Sequence, residues 1–287
     1  MERAINFKNR KVRYDLHIHS TVSDGTYSPY EIVEIAKEKE LAGISITDHD
    51  EFVEDTIAEY AKKMGLIFIP AIEFSTKFIN VHIIGYNLNW RNERLQSFLK
   101  HQRAERRKAI IKMCEKSKRI GVPVDFDEII ENGQDVKSIG RPHIANILVK
   151  KGYVKDVYEA FRKYLYTGGP LFEDYKKYHY KEIIKLIKDA GGISVLAHPG
   201  LIHSDIQEII LNECIKYGIN GIEVFYPRHS HNQIEKFQSI AQKYELFITG
   251  GSDFHGEVKP DIQIGDAGLT DEEFATLCPH ISSHCGS

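Results

Sequence analysis

The most constraining feature of the chain is an alternation. Short apolar runs that read as strands are followed by amphipathic runs that read as helices, and the strands tend to finish on histidine, aspartate or glutamate. "VRYDLHIH" leads into "SPYEIVEIAKEKE", where Ile32, Ile35 and Ala36 fall at helical spacing, Ser28 is placed as N-cap and Pro29 as the first helical residue. "AGISITDHD", the helix "DTIAEYAKKMG", "LIFIPAIEFST" and "INVHIIGYNL" follow. The pattern returns with "GGISVLAHPG", "DIQEIILNECIKYG", "INGIEVFYPRHS", "HNQIEKFQSIAQKYE" and "LFITGGSDFHG". These give seven strands, and strand–helix alternation predicts a parallel α/β arrangement, with seven units suiting a barrel one short of the common eight.

The stretch from about 100 to 170 breaks the pattern. "QRAERRKAIIKMCEKSKRIG", "FDEIIENG", "RPHIANILVKKG" and "VYEAFRKYLYTGG" all read as helix. The expected organisation is a discontinuous barrel over 1–100 and 171–270, a helical insertion over 101–170 after strand four, and a tail over 271–287 without clear periodicity. The start of the chain has no apolar segment resembling a signal peptide, and no apolar run approaches a membrane span. The four cysteines form no disulfide framework, which predicts a reducing compartment, the cytoplasm. A net charge of −3 argues against a surface coated for nucleic acid, though not against a local basic patch.

In "YDLHIHS" His17 and His19 are two apart on a strand, so they point the same way. Asp48 and His49 end the second strand, Glu73 ends the third, His82 lies in the fourth, His198 follows "SVLA", and Asp253 and His255 end the last. A lone histidine after a strand is ordinarily a packed or solvated residue. A set drawn only from His, Asp and Glu is different, because parallel strands gather their carboxyl ends at one mouth. Crowding these groups there without cations would be costly in repulsion and desolvation. A mixed imidazole and carboxylate set without cysteine suits Zn, Mn or Fe better than copper, calcium or magnesium.

These stretches resemble the PHP family, the polymerase-and-histidinol-phosphatase metal-dependent phosphoesterases: "DLHIHSTVSDGT", "SITDHD", "IPAIEFS", "VHIIGY", "VLAHPG" and "GGSDFHG". The resemblance implies a distorted seven-stranded β/α barrel and a centre of two to three divalent metals. By the same resemblance His17, His19, Glu73 and Asp253 would hold the first metal. Glu73 would bridge to a second, completed by His82 and His198, and Asp24, His49 and His255 would hold a third. Many relatives have histidine where Asp24 stands. "SIGRPHIA" and "FYPRHS" resemble the subgroup of 3′,5′-nucleoside bisphosphate phosphatases and 5′-to-3′ exoribonucleases.

Physical chemistry points the same way. Pro142 is placed to open a helix, which leaves Arg141 at a helix N-terminus, where the macrodipole disfavours a cation and an anion is wanted. Arg228 could serve likewise, and His143 and His229 could bond phosphate or protonate a leaving oxygen. The expected reaction is metal-dependent hydrolysis of a phosphate ester on a small phosphorylated substrate, a nucleotide or short RNA, with no membrane and no stable protein partner. The rivals are an exoribonuclease, a metal-dependent amidohydrolase and a non-enzymatic scaffold. Residues 91–119 carry eleven Lys/Arg against three Glu, a run that is either a solvated helix face or a steering patch for polyanions. "CPHISSHC" imitates zinc spacing in a terminal context and is set aside.

Overall fold

The computed structural model describes residues 10–132 and 137–281. Its first half runs β1 (Tyr14–Ile18), α1 (Pro29–Glu38), β2 (Gly43–Ile46), α2 (Asp55–Lys63), β3 (Ile67–Phe68), β4 (Ala71–Ser75) and β5 (His82–Tyr86). A helical stretch follows: α3 (Glu93–Arg119), α4 (Phe126–Asn132), α5 (Arg141–Lys150), α6 (Val157–Ala160) and α7 (Tyr180–Asp189). The second half runs β6 (Ile193–Leu196), α8 (Ser204–Lys216), β7 (Gly221–Phe225), α9 (His231–Lys243), β8 (Phe247–Gly250) and α10 (Asp271–Ile281). No described helix is long and apolar enough to cross a membrane.

The fold is mixed α/β, with strands in two sheets. β1, β2 and β3 pair in parallel. The other sheet has the order β4-β5-β6-β7-β8, parallel from β6 to β8 but antiparallel on both sides of β5. Two expectations are thereby corrected. "LIFIPAIEFST" is two strands rather than one, because Pro70 between them has no N–H to give a ladder. The connection from Ser75 to His82 is only six residues long, too short for a parallel crossover, so β5 turns back on β4.

The sheets touch at both flanks. Glu73 N donates to Thr47 O at 3.1 Å, and Asp253 N donates to His17 O at 2.7 Å while His19 N donates to Phe254 O at 2.9 Å. The strands around this junction are buried on both faces, all five residues of β1, β4 and β7 included. α1 starts where its sequence says: Ser28 accepts from Glu31 N, Glu31 answers to Ser28 N, and Ile32, Val33 and Ala36 go inward.

Among the described residues between β5 and β6 there is no strand. An apolar cluster drawn wholly from residues 110–171, including Met113, Ile144, Leu148 and Leu165, gives this region a core of its own. The tail departs from expectation. Residues 271–281 are helical, and Phe274, Leu277, Cys278 and Ile281 are buried against the main core. Cys278 carries a disulfide, while Cys114 and Cys214 are free and buried. The last four residues of "CPHISSHC" lie outside the described residues.

Candidate metal centre

The i, i+2 spacing of His17 and His19 does what a strand requires of it. Both rings leave the same side, and their Nε2 atoms meet 3.2 Å apart. Glu73 stands opposite them, and it is the middle residue of β4 rather than its end as the sequence suggested. Its Oε2 lies 3.0 Å from His19 Nε2, 3.4 Å from His17 Nε2 and 3.2 Å from His49 Nδ1. Its Oε1 lies 2.8 Å from His82 Nδ1 and 2.9 Å from His198 Nε2. His82 begins its strand instead of ending it. Because β5 is antiparallel, its first residue pairs with Ser75, the last of β4, and so sits at the same rim.

Asp253 Oδ1 is 3.6 Å from His17 and 3.4 Å from His19. Asp24 Oδ1 is 3.5 Å from both His19 and His255, and its Oδ2 is 3.9 Å from His49. The structure therefore brings together the nine residues expected as metal ligands. They form overlapping groups: His19, Asp24, His49 and His255; His17, His198 and Asp253; His17, His19 and Glu73; His49, Glu73 and His82. His198 and Asp253 hold left-handed backbone, φ 28° and 54°, a conformation costly to non-glycine residues and common at functional sites.

The donor chemistry fits metal ions. Burial pulls down the imidazoles of His49 and His82, and of His255 to about 3, with Lys259 and His19 adding to the effect on His255. These rings are neutral and can offer a lone pair. Burial alone would raise Glu73 and Asp253, but the imidazoles of His82, His49 and His17 around Glu73, and Lys259 and His17 beside Asp253, hold both well below the carboxylate range. Burial also opposes charge on His17, yet Glu223, Glu73 and Asp253 outweigh it and keep a proton there. A proton held among three carboxylates marks a place where positive charge is wanted. His49 Nδ1 and His198 Nδ1 are buried without a hydrogen-bond partner, as expected of ring nitrogens that lack a ligand.

A layer of carboxylates and hydroxyls fixes these rings, and part of it escaped the sequence reading. Glu223, fully buried in β7, accepts from His17 Nδ1 at 3.0 Å and from His198 N at 2.7 Å. It is the middle residue of β7, as Glu73 is of β4, and no motif in the sequence pointed to it. Asp48, expected at the rim, accepts instead from Ser20 N at 2.9 Å and from the hydroxyls of Ser20 and Ser23.

Over the cluster lies a cleft of about 330 Å³. Asp24, His49, His82 and His255 face it from one side, and Arg106, Arg141, Lys177 and Arg228 line it with Tyr158, Phe161, Phe172 and Tyr175. Arg141 is the first residue of α5, as Pro142 predicted. It donates to Leu165 O at 2.9 Å and lies over the Phe161 and Phe172 rings. Arg228 lies at the edge, donating to Tyr158 Oη at 3.0 Å and to Asp261 Oδ2 at 3.1 Å.

Of the two histidines expected beside the arginines, His143 accepts from Gly140 N through Nδ1 at 3.0 Å, and its ring interacts electrostatically with Asp24. His229 bonds Val224 O through Nδ1 at 2.9 Å and accepts from Gly200 N through Nε2 at 3.0 Å, so both ring nitrogens are used by backbone. Much of the basic run is also consumed. Arg103 pairs with Glu51, Arg106 with Asp50, Lys112 and Lys116 with Glu173, and Lys118 with Asp125.

A family model described as PHP domain matches residues 15–251. The chain belongs to the PHP domain family. Among its relatives is a 3′,5′-nucleoside bisphosphate phosphatase of Chromobacterium violaceum, 32% identical over 272 residues, 92% of this chain and 93% of that protein. A 5′-3′ exoribonuclease of Haemophilus influenzae is 30% identical over 85% of this chain and 90% of its own length. A solved structure from Bifidobacterium adolescentis, described as a metal-dependent phosphoesterase, superposes with a TM-score of 0.85 at 29% identity, covering 96% of this chain and 98% of that one.

Proposed function

We propose that this PHP protein hydrolyses a phosphate ester of a nucleotide, a 3′,5′-nucleoside bisphosphate or a close analogue, at a centre of two to three divalent Mn, Fe or Zn ions. One observation carries the reading. A buried cluster of imidazoles and carboxylates opens into a cleft whose other lining is arginine and aromatic rings. The relatives named above are phosphoesterases of nucleotides and RNA, in agreement. We read the two sheets as arcs of one distorted barrel, supported by the hydrogen bonds joining them at both flanks, and residues 101–170 as its helical insertion.

His17, His19, Glu73 and Asp253 would hold one ion. Glu73 would share its other oxygen with a second, beside His82 and His198. Asp24, His49 and His255 would hold a third. The two faces of Glu73 support its bridging place, since one oxygen meets His82 and His198 and the other His17 and His19. The bound ions would supply a hydroxide at neutral pH and neutralise phosphoryl oxygens. The chain does the rest. Arg141 and Arg228 orient the phosphorylated substrate, the rings beside Arg141 cover its apolar part, and Glu223 keeps His17 and His198 aimed.

Elemental analysis of gently purified protein should give two to three ions per chain. Less than one, with no activation by added Mn, Fe or Zn, overturns the multinuclear reading. A phosphate-release screen over nucleoside bisphosphates, short RNAs and sugar phosphates tests the substrate class, and nucleotides freed from RNA in preference would move the assignment to an exoribonuclease. Glu223→Gln should weaken metal binding about 10- to 100-fold while circular dichroism stays unchanged. The amide has one acceptor for two donors, so the His17 or the His198 bond is lost. Unaltered affinity would show that the rings need no such support.

A further inference from the structure

α3 lines two cavities in succession. Arg106, Ile110 and Met113 face the cleft over the metal cluster. Arg94, Phe98 and His101, nearer the start of the helix, face a separate groove of about 600 Å³ shared with Lys185 of α7. The segment 175–178 divides the two. Tyr175 and Lys177 line the cleft while Lys176 and Tyr178 line the groove, the alternation of an extended strand. Gln102, fully buried in α3, ties the segment down by donating to Lys176 O at 3.4 Å. His101 and Arg106 are five residues apart, about 7.5 Å along the helix axis. The groove is therefore the cleft's neighbour, with one strand between them, and the two share no lining residue.

The groove pairs aromatic rings with cations. Tyr178 is only partly buried, and its ring is backed by Phe98 with centroids 4.8 Å apart and met edge-on by His101 at 6.4 Å. Lys176 Nζ lies 5.8 Å from the same ring. Arg94 and Lys185 share a single carboxylate, Asp189, at 2.7 and 3.0 Å. Lys176 has no carboxylate within ion-pair distance among the described residues, and Glu105, whose charge it feels, is paired with Lys108. Glu182 also lines the groove, where its carboxylate caps α7 by accepting from His179 N. Positive charge is left in excess beside a ring held ready. That combination suits a single nucleic-acid strand, whose unpaired bases stack on rings while its backbone follows cations; the bases of a duplex are not free to stack. We propose that this groove binds single-stranded RNA whose end enters the cleft, with a base on Tyr178 and backbone phosphates against Lys176, Arg94 and Lys185. The inference rests on the phosphoesterase reading above and extends its substrate class from nucleotides to RNA long enough to cross the segment 175–178.

The test uses the protein as purified and a hexa-adenylate with a 5′ phosphate and phosphorothioate links, which resist hydrolysis. It should bind about tenfold more tightly than the dinucleotide of the same chemistry, which is too short to reach the groove. Lys176→Met and Tyr178→Leu should each weaken the hexamer about tenfold and leave the dinucleotide unchanged. Tyr178→Phe should keep the affinity for the hexamer, because the ring remains. Lys176→Met should also lower the salt dependence of hexamer binding by about one unit of slope, while its kcat/KM for adenosine 3′,5′-bisphosphate stays at the parent value. Equal affinity for hexamer and dinucleotide overturns the proposal, and so does hexamer binding that either variant leaves intact. A polyglutamate peptide bound as tightly as the hexamer overturns it too, since the groove would then be a general anion surface. If the protein hydrolyses no phosphate ester, the proposed function falls, and hexamer binding still decides the groove.

Discussion

Replacing Glu73 by glutamine should abolish activity to within about a thousandth of the parent value and strip the protein of more metal than any other single change at the rim. The carboxylate touches five imidazoles, two through one oxygen and three through the other. An amide keeps the size and loses the charge, and its NH2 group would face ring nitrogens that need an acceptor. Asp24→Asn is the comparison. The imidazoles Asp24 meets are those of His19, His49 and His255, each at 3.5 Å or more, so its loss should remove at most one ion. Elemental analysis of the two proteins side by side makes the test, and equal occupancy would show that Glu73 is not a bridge. A chelator should abolish activity in the parent and leave its circular dichroism largely unchanged, because the apolar core lies beneath the rim.

Arg141→Ala should lower kcat/KM on nucleotide substrates about thirty- to two-hundred-fold, with metal content unchanged. A charge-assisted contact of this kind is worth roughly 2–3 kcal/mol, and the factor follows from that value. Arg141→Lys should recover little, since an ammonium supplies neither the planar fork nor the stacking on Phe161 and Phe172. A generic ester too short to reach α5 should lose less than the nucleotides. Equal loss on both would move Arg141 to the reacting phosphate, and no loss on either would leave it a structural member of the helical region, held by Leu165 O and the Phe161 and Phe172 rings.

The metal-ligand candidates were the most legible part of the chain, and the reason is geometric. Strand ends in an α/β sheet share a mouth, so histidines and carboxylates far apart in sequence could be gathered by rule, and the structure does gather His17, Glu73, His198 and Asp253. His82 was placed correctly for a different reason, since it opens an antiparallel strand. What escaped lay outside that rule. Glu223 is buried in the middle of β7, where no strand end and no motif marks it. His229 carried the right residue type beside Arg228, but only three dimensions show that Val224 and Gly200 claim both its nitrogens. α10 was missed because Pro279 sits inside it and obscures the helical spacing of Phe274, Leu277, Cys278 and Ile281.

The rim draws its side chains from position 17 through position 255, and the backbone of Asp253 is hydrogen-bonded to that of His17. A nascent chain that has already built β1 to β7 still lacks the last two donors. Its sheets can assemble during synthesis, but His17 and His19 must wait for Asp253 and His255 before that corner of the rim exists. Ions taken up there would act as a clasp between the earliest and latest strands, so full metal loading would report completion, and a product truncated before Asp253 would load fewer ions than the whole chain.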